Sequence, residues 1–200
     1  MDDPRYGTVQ PDQLPVLTPT SGVVGRLIAG SVDEEVGAFT SVMPLQIIDY
    51  VLQAGCAHVH QVSQGMDSTF VYVYKGSGTV GGTQVPCDCV IQLDASMGDA
   101  VRGVSLLAGE GEGFSAMLFA GRRLNQSIAW HGPFVMTTKA EIASTIACYQ
   151  AGDFPPVRAP WDYKVFDSFP PAKAVAVVVA ASDSINATIT ALPQSCASNK

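Results

Sequence analysis

The sequence predicts a single, mainly β domain, a sandwich or small barrel of short strands with one helix near its end. Hydrophobic residues make up 47% of the 200 residues and charged residues 14%, which is enough apolar material for a real core. The 19 Gly and 13 Pro are spread along the chain and indicate frequent turns. Closure into a barrel or sandwich follows because it protects the edges of short strands.

The strand signal is clearest at residues 69–74. Alternation places Phe70, Tyr72 and Tyr74 on one face there, and Val71 and Val73 on the other. Glycine turns at residues 76–78 and 81–82 follow at once. Further strands are predicted at residues 23–28, 45–52, 79–80, 87–93, 101–107 and 114–120, and 45–52 is expected to be buried on both faces.

One helix is predicted near the end of this region. Thr138 and Glu141 have the spacing of a capping box, in which each side chain accepts from an otherwise unpaired backbone N–H group. Gly152 is a suitable terminator. We expect the helix to lie against the barrel through an apolar stripe formed by Ile142, Ile146 and Tyr149.

Three regions are expected from composition. Residues 1–19 are polar and interrupted by proline, and are predicted to be an extended lead-in. Residues 20–155 form the predicted domain, and residues 156–200 an irregular extension with one strand at most.

Charge and cysteine content exclude some functions and favour a compartment. The net charge is −7 and the pI about 4.7, with no cluster of Lys and Arg, so direct nucleic-acid binding is not expected. The first residues do not form a secretory signal, and the longest apolar run, residues 174–181, is too short to span a bilayer. Five Cys, an odd number, favour a reducing compartment, so we expect a cytoplasmic protein without membrane contact.

Several stretches carry a more specific pattern. Residues 120–124 read Ala-Gly-Arg-Arg-Leu, and residues 132–138 read Gly-Pro-Phe-Val-Met-Thr-Thr and lead into the helix. The helix ends in Tyr-Gln-Ala-Gly-Asp-Phe at residues 149–154. The strand and turn at residues 70–78 and the lead-in from Arg5 to Pro15 agree with the same pattern. From about Tyr6 to Phe154 the chain resembles the C-terminal half of pirin-like proteins.

The resemblance implies a cupin-type β-barrel or jelly roll, also called a double-stranded β-helix, with the C-terminal helix packed on it. Pirin-like proteins are bicupins, with two small barrels facing one another. Their metal, usually iron, is held in the N-terminal barrel by three His and one Glu, none of which can be carried over to this chain. Members are iron-dependent flavonol dioxygenases or nuclear co-regulators, which adds the nucleus as a second expected location. A natural half-protein and a truncated sequence both stay open.

The candidate metal ligands are His58 and His60, with Cys56 as a third. In an extended strand these three side chains point to the same face, and imidazole and thiolate groups bind zinc or iron. A cupin metal site also needs a Glu where Thr69 stands, and a His in a later strand, which residues 101–107 and 114–120 lack. We therefore expect a barrel mouth without metal and no cofactor, with iron as the alternative.

Other polar motifs are interpreted as structural. His131 is expected to make a hydrogen bond at a corner before the helix, and Cys87-Asp88-Cys89 to pack within a short strand. The acidic, glycine-rich stretch at residues 109–113 is predicted to be a solvent loop.

Three functional hypotheses follow. The first is a metal-free, non-catalytic pirin-like domain that acts in protein interaction or regulation, through a partner or self-association. The second is an enzyme, an iron-dependent flavonol (quercetin) 2,3-dioxygenase that uses His58 and His60. The third is a small-molecule-binding barrel whose pocket is lined by Phe70, Tyr72 and Tyr74 beside the two His.

Overall fold

The computed structural model describes residues 7–93, 102–155, 176–180 and 188–191. They form two compact units. The larger contains residues 9–123 and the two C-terminal strands, and the smaller contains residues 124–155 together with Gly7 and Thr8. The region predicted as one domain, residues 20–155, therefore divides after Arg123.

The chain is rich in strands, as predicted. The helix is α1 (Lys139–Ala151), and a 3-10 turn covers Pro11–Gln13. The strands are β1 (Val16–Thr20), β2 (Val23–Ala29), β3 (Ser31–Val32), β4 (Glu35–Val36), β5 (Leu45–Leu52), β6 (Ala57–Val62), β7 (Ser68–Lys75), β8 (Gly78–Val80), β9 (Thr83–Val85), β10 (Cys89–Leu93), β11 (Arg102–Ala108), β12 (Phe114–Gly121), β13 (Ala129–His131), β14 (Phe134–Met136), β15 (Ala176–Ala180) and β16 (Thr188–Ala191).

The larger unit is a sandwich of two sheets. One sheet has eight strands in the order β1-β2-β5-β12-β7-β10-β15-β16, and the other has four in the order β6-β11-β8-β9. Buried side chains of both sheets belong to one apolar cluster, as Ile48 and Leu118 from the first and Val104 and Leu106 from the second illustrate. This is the predicted jelly-roll arrangement, since sandwiches bury the inner faces of two sheets against each other.

Strand β5 shows how the sequence sets the inner face. Its residues alternate strictly between buried and half-buried, so the expectation that both faces are buried is wrong. The inward positions are Gln46, Ile48, Tyr50 and Leu52. Two of these four side chains are polar, and both lie on the face that alternation directs into the core.

The smaller unit contains the predicted helix. Thr138 is the N-cap and forms a capping box with Glu141, and Gly152 closes the helix in the left-handed conformation. Within this unit α1 contacts the β13–β14 hairpin. Ile142 is buried and Tyr149 packs its ring edge-on against Phe134, with the ring centroids 5.8 Å apart. The apolar stripe thus lies against a hairpin.

Both ends of the chain contribute more structure than the sequence predicted. The expected extended lead-in ends in β1, which pairs with β2. In the expected irregular extension, β15 pairs in parallel with β10, and β16 pairs with β15. Residues 1–6, 94–101, 156–175, 181–187 and 192–200 lie outside the described residues. Among the described helices, none is both long and apolar enough to cross a bilayer.

Gly30 allows a test of the close backbone contact between the end of β2 and the start of β5. Its φ is +84°, and a Cβ there would collide with the carbonyl oxygen of Leu45. Gly65 has a similar φ of +83° but has open space around it. We expect Gly65→Ala to cost about 1–2 kcal/mol from the left-handed backbone alone, and Gly30→Ala to cost clearly more.

Urea denaturation of the two variants measures both costs. Equal losses of unfolding free energy would show that the contact with Leu45 is relieved without cost.

Candidate functional site

Two strands that are consecutive in the chain, one from each sheet, direct polar side chains into the interior of the sandwich. Strand β5 contributes Gln46 and Tyr50, and β6 contributes His58 and His60. These side chains line a cavity of about 630 Å³, a size typical of small-molecule sites. The rest of the lining consists of Val16, Leu17, Thr18, Pro19, Val32, Asp33, Glu35, Val59, Gln61, Val62, Ser63 and Gln64.

The four inner side chains form one hydrogen-bonded chain. The Tyr50 hydroxyl lies 2.9 Å from Nδ1 of His60 and 3.3 Å from Nε2 of His58. Nε2 of His60 lies 3.4 Å from Oε1 of Gln46. The Gln46 amide nitrogen donates to the Ser31 carbonyl at 2.6 Å and to the Ser63 hydroxyl at 3.0 Å.

The Ser31 carbonyl fixes the order of donors and acceptors along this series of hydrogen bonds. The Ser31 carbonyl can only accept, so Gln46 turns its nitrogen toward Ser31 and its oxygen toward His60. His60 must then donate from Nε2, and with a neutral ring its Nδ1 accepts from the Tyr50 hydroxyl. The Tyr50 oxygen in turn accepts from Nε2 of His58, and Nδ1 of His58 is left as a lone-pair acceptor.

Burial keeps the titratable side chains of this hydrogen-bonded series uncharged. It lowers the pKa of His60 from 6.5 to about 4, with the nearby His58 acting in the same direction and Asp33 opposing it. Burial also lowers the pKa of His58 and raises the pKa of the Tyr50 phenol above its ordinary value. The imidazoles are neutral near pH 7, as the donor order requires.

The inner residues do not fit an iron site. Both ring nitrogens of His60 are engaged in hydrogen bonds, to Tyr50 and to Gln46. The group between the two imidazoles is the protonated phenol of Tyr50, which is a poor metal ligand. No group of three or more His, Cys, Asp or Glu side chains among the described residues is arranged to hold a metal ion. His58 and His60, the two predicted metal ligands, are therefore linked by their hydrogen bonds to the Tyr50 hydroxyl.

The third candidate ligand lies elsewhere. The Cys56 thiol packs beside Gly22 at the edge of the apolar core and is absent from the cavity lining. A strand alternation that includes residues 56, 58 and 60 predicts one face for all three, but β6 begins only at Ala57.

The aromatic stripe expected to line the pocket faces the other way. Val71 and Val73 are fully buried, whereas Phe70 is exposed and Tyr72 and Tyr74 are half-buried. Tyr74 donates a hydrogen bond to Asp49 on this outer face. The β-branched residues occupy the interior because the core is filled by Val, Ile and Leu side chains from both sheets.

The remaining motifs lie outside the cavity lining. His131 is exposed on β13 opposite Phe134. Cys87 and Asp88 lie in a turn before β10 and Cys87 is exposed, so the expectation that all three residues of this motif pack within a strand is wrong. Cys89 is buried, and burial raises the pKa of its thiol. Residues 110–113 form an exposed loop between β11 and β12, as predicted.

Sequence reasoning missed Gln46 and Tyr50. They are four residues apart in a strand otherwise rich in Leu, Ile and Val, so alternation places both on one face. Two polar side chains on one face of an apolar strand are the signal that could have identified them.

The two-sheet sandwich with a polar interior pocket defines the class as a cupin. Comparison with known families identifies the pirin C-terminal cupin domain at residues 47–155, and the chain belongs to this family.

Relatives of known name support this assignment. A pirin-like protein of Solanum lycopersicum is 29% identical over 76% of this chain and 51% of its own length. Pirin of Mus musculus is 27% identical over 72% of this chain and 48% of its own length. The chain thus spans about half the length of the curated relatives it matches.

Solved structures agree. The crystal structure of a quercetin 2,3-dioxygenase from Acinetobacter baumannii matches with a TM-score of 0.57 and 29% identity, over 76% of this chain and 51% of that one. A structure of GK1651 from Geobacillus kaustophilus has a TM-score of 0.53 at 19% identity, over 62% of this chain and 49% of that one. The second match concerns the fold alone.

The depressed pKa of His60 makes stability depend on pH. The unfolded chain takes up a proton near pH 6.5 and the folded chain only near pH 4, so acid favours unfolding between these values. We expect the contribution of His60 to be complete above about pH 6.5 and to be lost as the pH falls toward 4, by about 3 kcal/mol.

Denaturation at several pH values measures this slope. His60→Gln is expected to flatten it, and His131→Gln, which changes an exposed imidazole, should leave it intact. An unchanged slope in His60→Gln would refute the assignment.

Proposed function

We propose that this chain is a metal-free, non-catalytic cupin domain that acts through protein association. The position of the Tyr50 hydroxyl between His58 and His60 carries the proposal. A hydroxyl in hydrogen-bond contact with both imidazoles takes up the space in which a shared metal ion would have to sit. It also satisfies both rings in a buried setting, where an unpaired polar group is costly.

Iron binding to this network would break favourable contacts. The ion would have to replace the bonds of His58 and His60 to Tyr50. The two carboxylates that line the cavity, Asp33 and Glu35, are exposed at its rim. Gln46, the nearest amide, is already committed to Ser31 and Ser63 through its nitrogen. Catalysis by metal-activated oxygen therefore has little support from the residues of this barrel.

Metal content tests the proposal directly. We expect elemental analysis of protein purified without a histidine tag to find iron and zinc far below one per chain. The His58→Ala/His60→Ala double variant should give the same background. Near-stoichiometric metal that disappears in the double variant would contradict the proposal.

That contrary result would favour the second function, an iron-dependent flavonol dioxygenase. The likeness to a quercetin 2,3-dioxygenase of Acinetobacter baumannii motivates it. Oxygen uptake by iron-loaded protein with quercetin is the decisive assay, and we expect no uptake above that of free iron.

Association is supported by an aromatic cleft on the outer face of the large sheet. Phe70 and Phe119 stack with their ring centroids 4.7 Å apart, and Phe70 is 38% exposed. The stack lines a cleft of about 270 Å³ together with Arg122 and Arg123. The exposed Phe70 ring beside two Arg side chains suits an acidic protein surface. We propose a second copy of this chain, whose net charge is −7, as the partner.

Light scattering after size-exclusion chromatography measures this association. We expect a dimer that Phe70→Ser shifts to monomer, because the substitution removes the exposed half of the stack. Val42→Ser changes a side chain that is 71% exposed and lies outside the cleft lining, so it should leave the dimer intact. A monomeric wild-type protein would count against self-association.

A further inference from the structure

We propose that the 630 Å³ cavity binds a small organic ammonium ion with an apolar body. This ligand is additional to the association proposed above and does not depend on it. The geometry points to it through three features, namely the acceptor at the floor, the charge at the rim and the apolar walls.

The floor of the cavity offers an acceptor. The donor order that starts at the Ser31 carbonyl leaves Nδ1 of His58 with its lone pair, while the ring donates from Nε2 to Tyr50. His58 is half-buried and lines the cavity. A ligand that contacts Nδ1 of His58 therefore has to bring a hydrogen-bond donor.

The rim carries negative charge, which favours a positively charged ligand. Asp33 and Glu35 line the cavity, and the lining contributed by the described residues includes neither Lys nor Arg. The charge of Asp33 is felt at the floor, because it opposes the lowering of the pKa of His60. A carboxylate or phosphate ligand would meet repulsion here, and an ammonium ion would meet attraction.

The walls suit an apolar body. Val16, Leu17 and Val32 face the cavity beside the rim, and Val62 lies deeper. The rings of Tyr50 and His58 lie with their centroids 5.0 Å apart at its floor, and aromatic faces attract cations. Burial of an apolar body supplies affinity, and the N–H donors fix its orientation.

A matched set of three probes tests the charge preference on the full chain. Phenethylammonium, phenethyl alcohol and hydrocinnamate share a phenyl group and a short tether and differ in the charge of the head group. Isothermal titration should give a Kd for phenethylammonium at least about tenfold lower than for the alcohol, a difference of about 1.4 kcal/mol, and no measurable binding of hydrocinnamate. Equal or tighter binding of hydrocinnamate would overturn the proposal.

Variants locate the binding. Asp33→Asn/Glu35→Gln should raise the Kd for phenethylammonium about tenfold, because it removes both rim charges. Both side chains are exposed, so the fold should be kept. Glu112→Gln, in the exposed loop after β11, is the matched control and should bind like the wild type.

An independent readout does not require a variant. Addition of phenethylammonium should shift the imidazole signals of His58 in the NMR spectrum more than those of the exposed His131. Loss of affinity in Glu112→Gln equal to that in the rim variant, or unshifted His58 signals at saturation, would overturn the proposal. Neither outcome bears on metal content or self-association, so a failure here is distinguishable from a failure of the proposed function.

Discussion

The site depends on one carbonyl oxygen, that of Ser31. Because it can only accept, it sets the orientation of Gln46, and through Gln46 it sets the protonated nitrogen of His60, the direction of the Tyr50 hydroxyl and the tautomer of His58. This series of hydrogen bonds runs through a core in which the charged forms of the side chains are disfavoured. The low polarity of the core keeps the imidazoles of His58 and His60 neutral. With neutral imidazoles, one order of hydrogen-bond donors and acceptors is possible. A local backbone group thus determines which chemistry the cavity can offer.

The relation between sheet geometry and site chemistry is direct. Strand β5 lies within the large sheet and β6 at an edge of the small one, so Tyr50 and the two His meet across the interior. Alternation along each strand makes their inward direction unavoidable once the neighbouring Ile48 and Val62 join the core. The same alternation sends Phe70, Tyr72 and Tyr74 outward. The inner face therefore lines the cavity, and the outer face carries the aromatic stripe.

Much of the fold could be predicted from the sequence, because strand alternation and helix caps are local signals. The positions of β5, β7, β12 and α1 follow from them. Pairing is not local, and so the parallel addition of β15 to β10 and the split after Arg123 were not predictable. In the site, His58 and His60 were evident as residue types, but their connection through Tyr50 requires the register between two sheets. The face of β7 that points inward was equally undetermined, since both of its faces are apolar.

The parallel pairing of β10 with β15 has a consequence for synthesis on the ribosome. Cys89 faces Ala176 in this pairing, and residues 124–155 of the smaller unit lie between them in the chain. A nascent chain therefore exposes the β10 edge until β15 has been translated. Pairings so distant in sequence form slowly, and an open edge can meanwhile pair with other chains. This fold therefore has an unpaired β10 edge for as long as β15 has not been made.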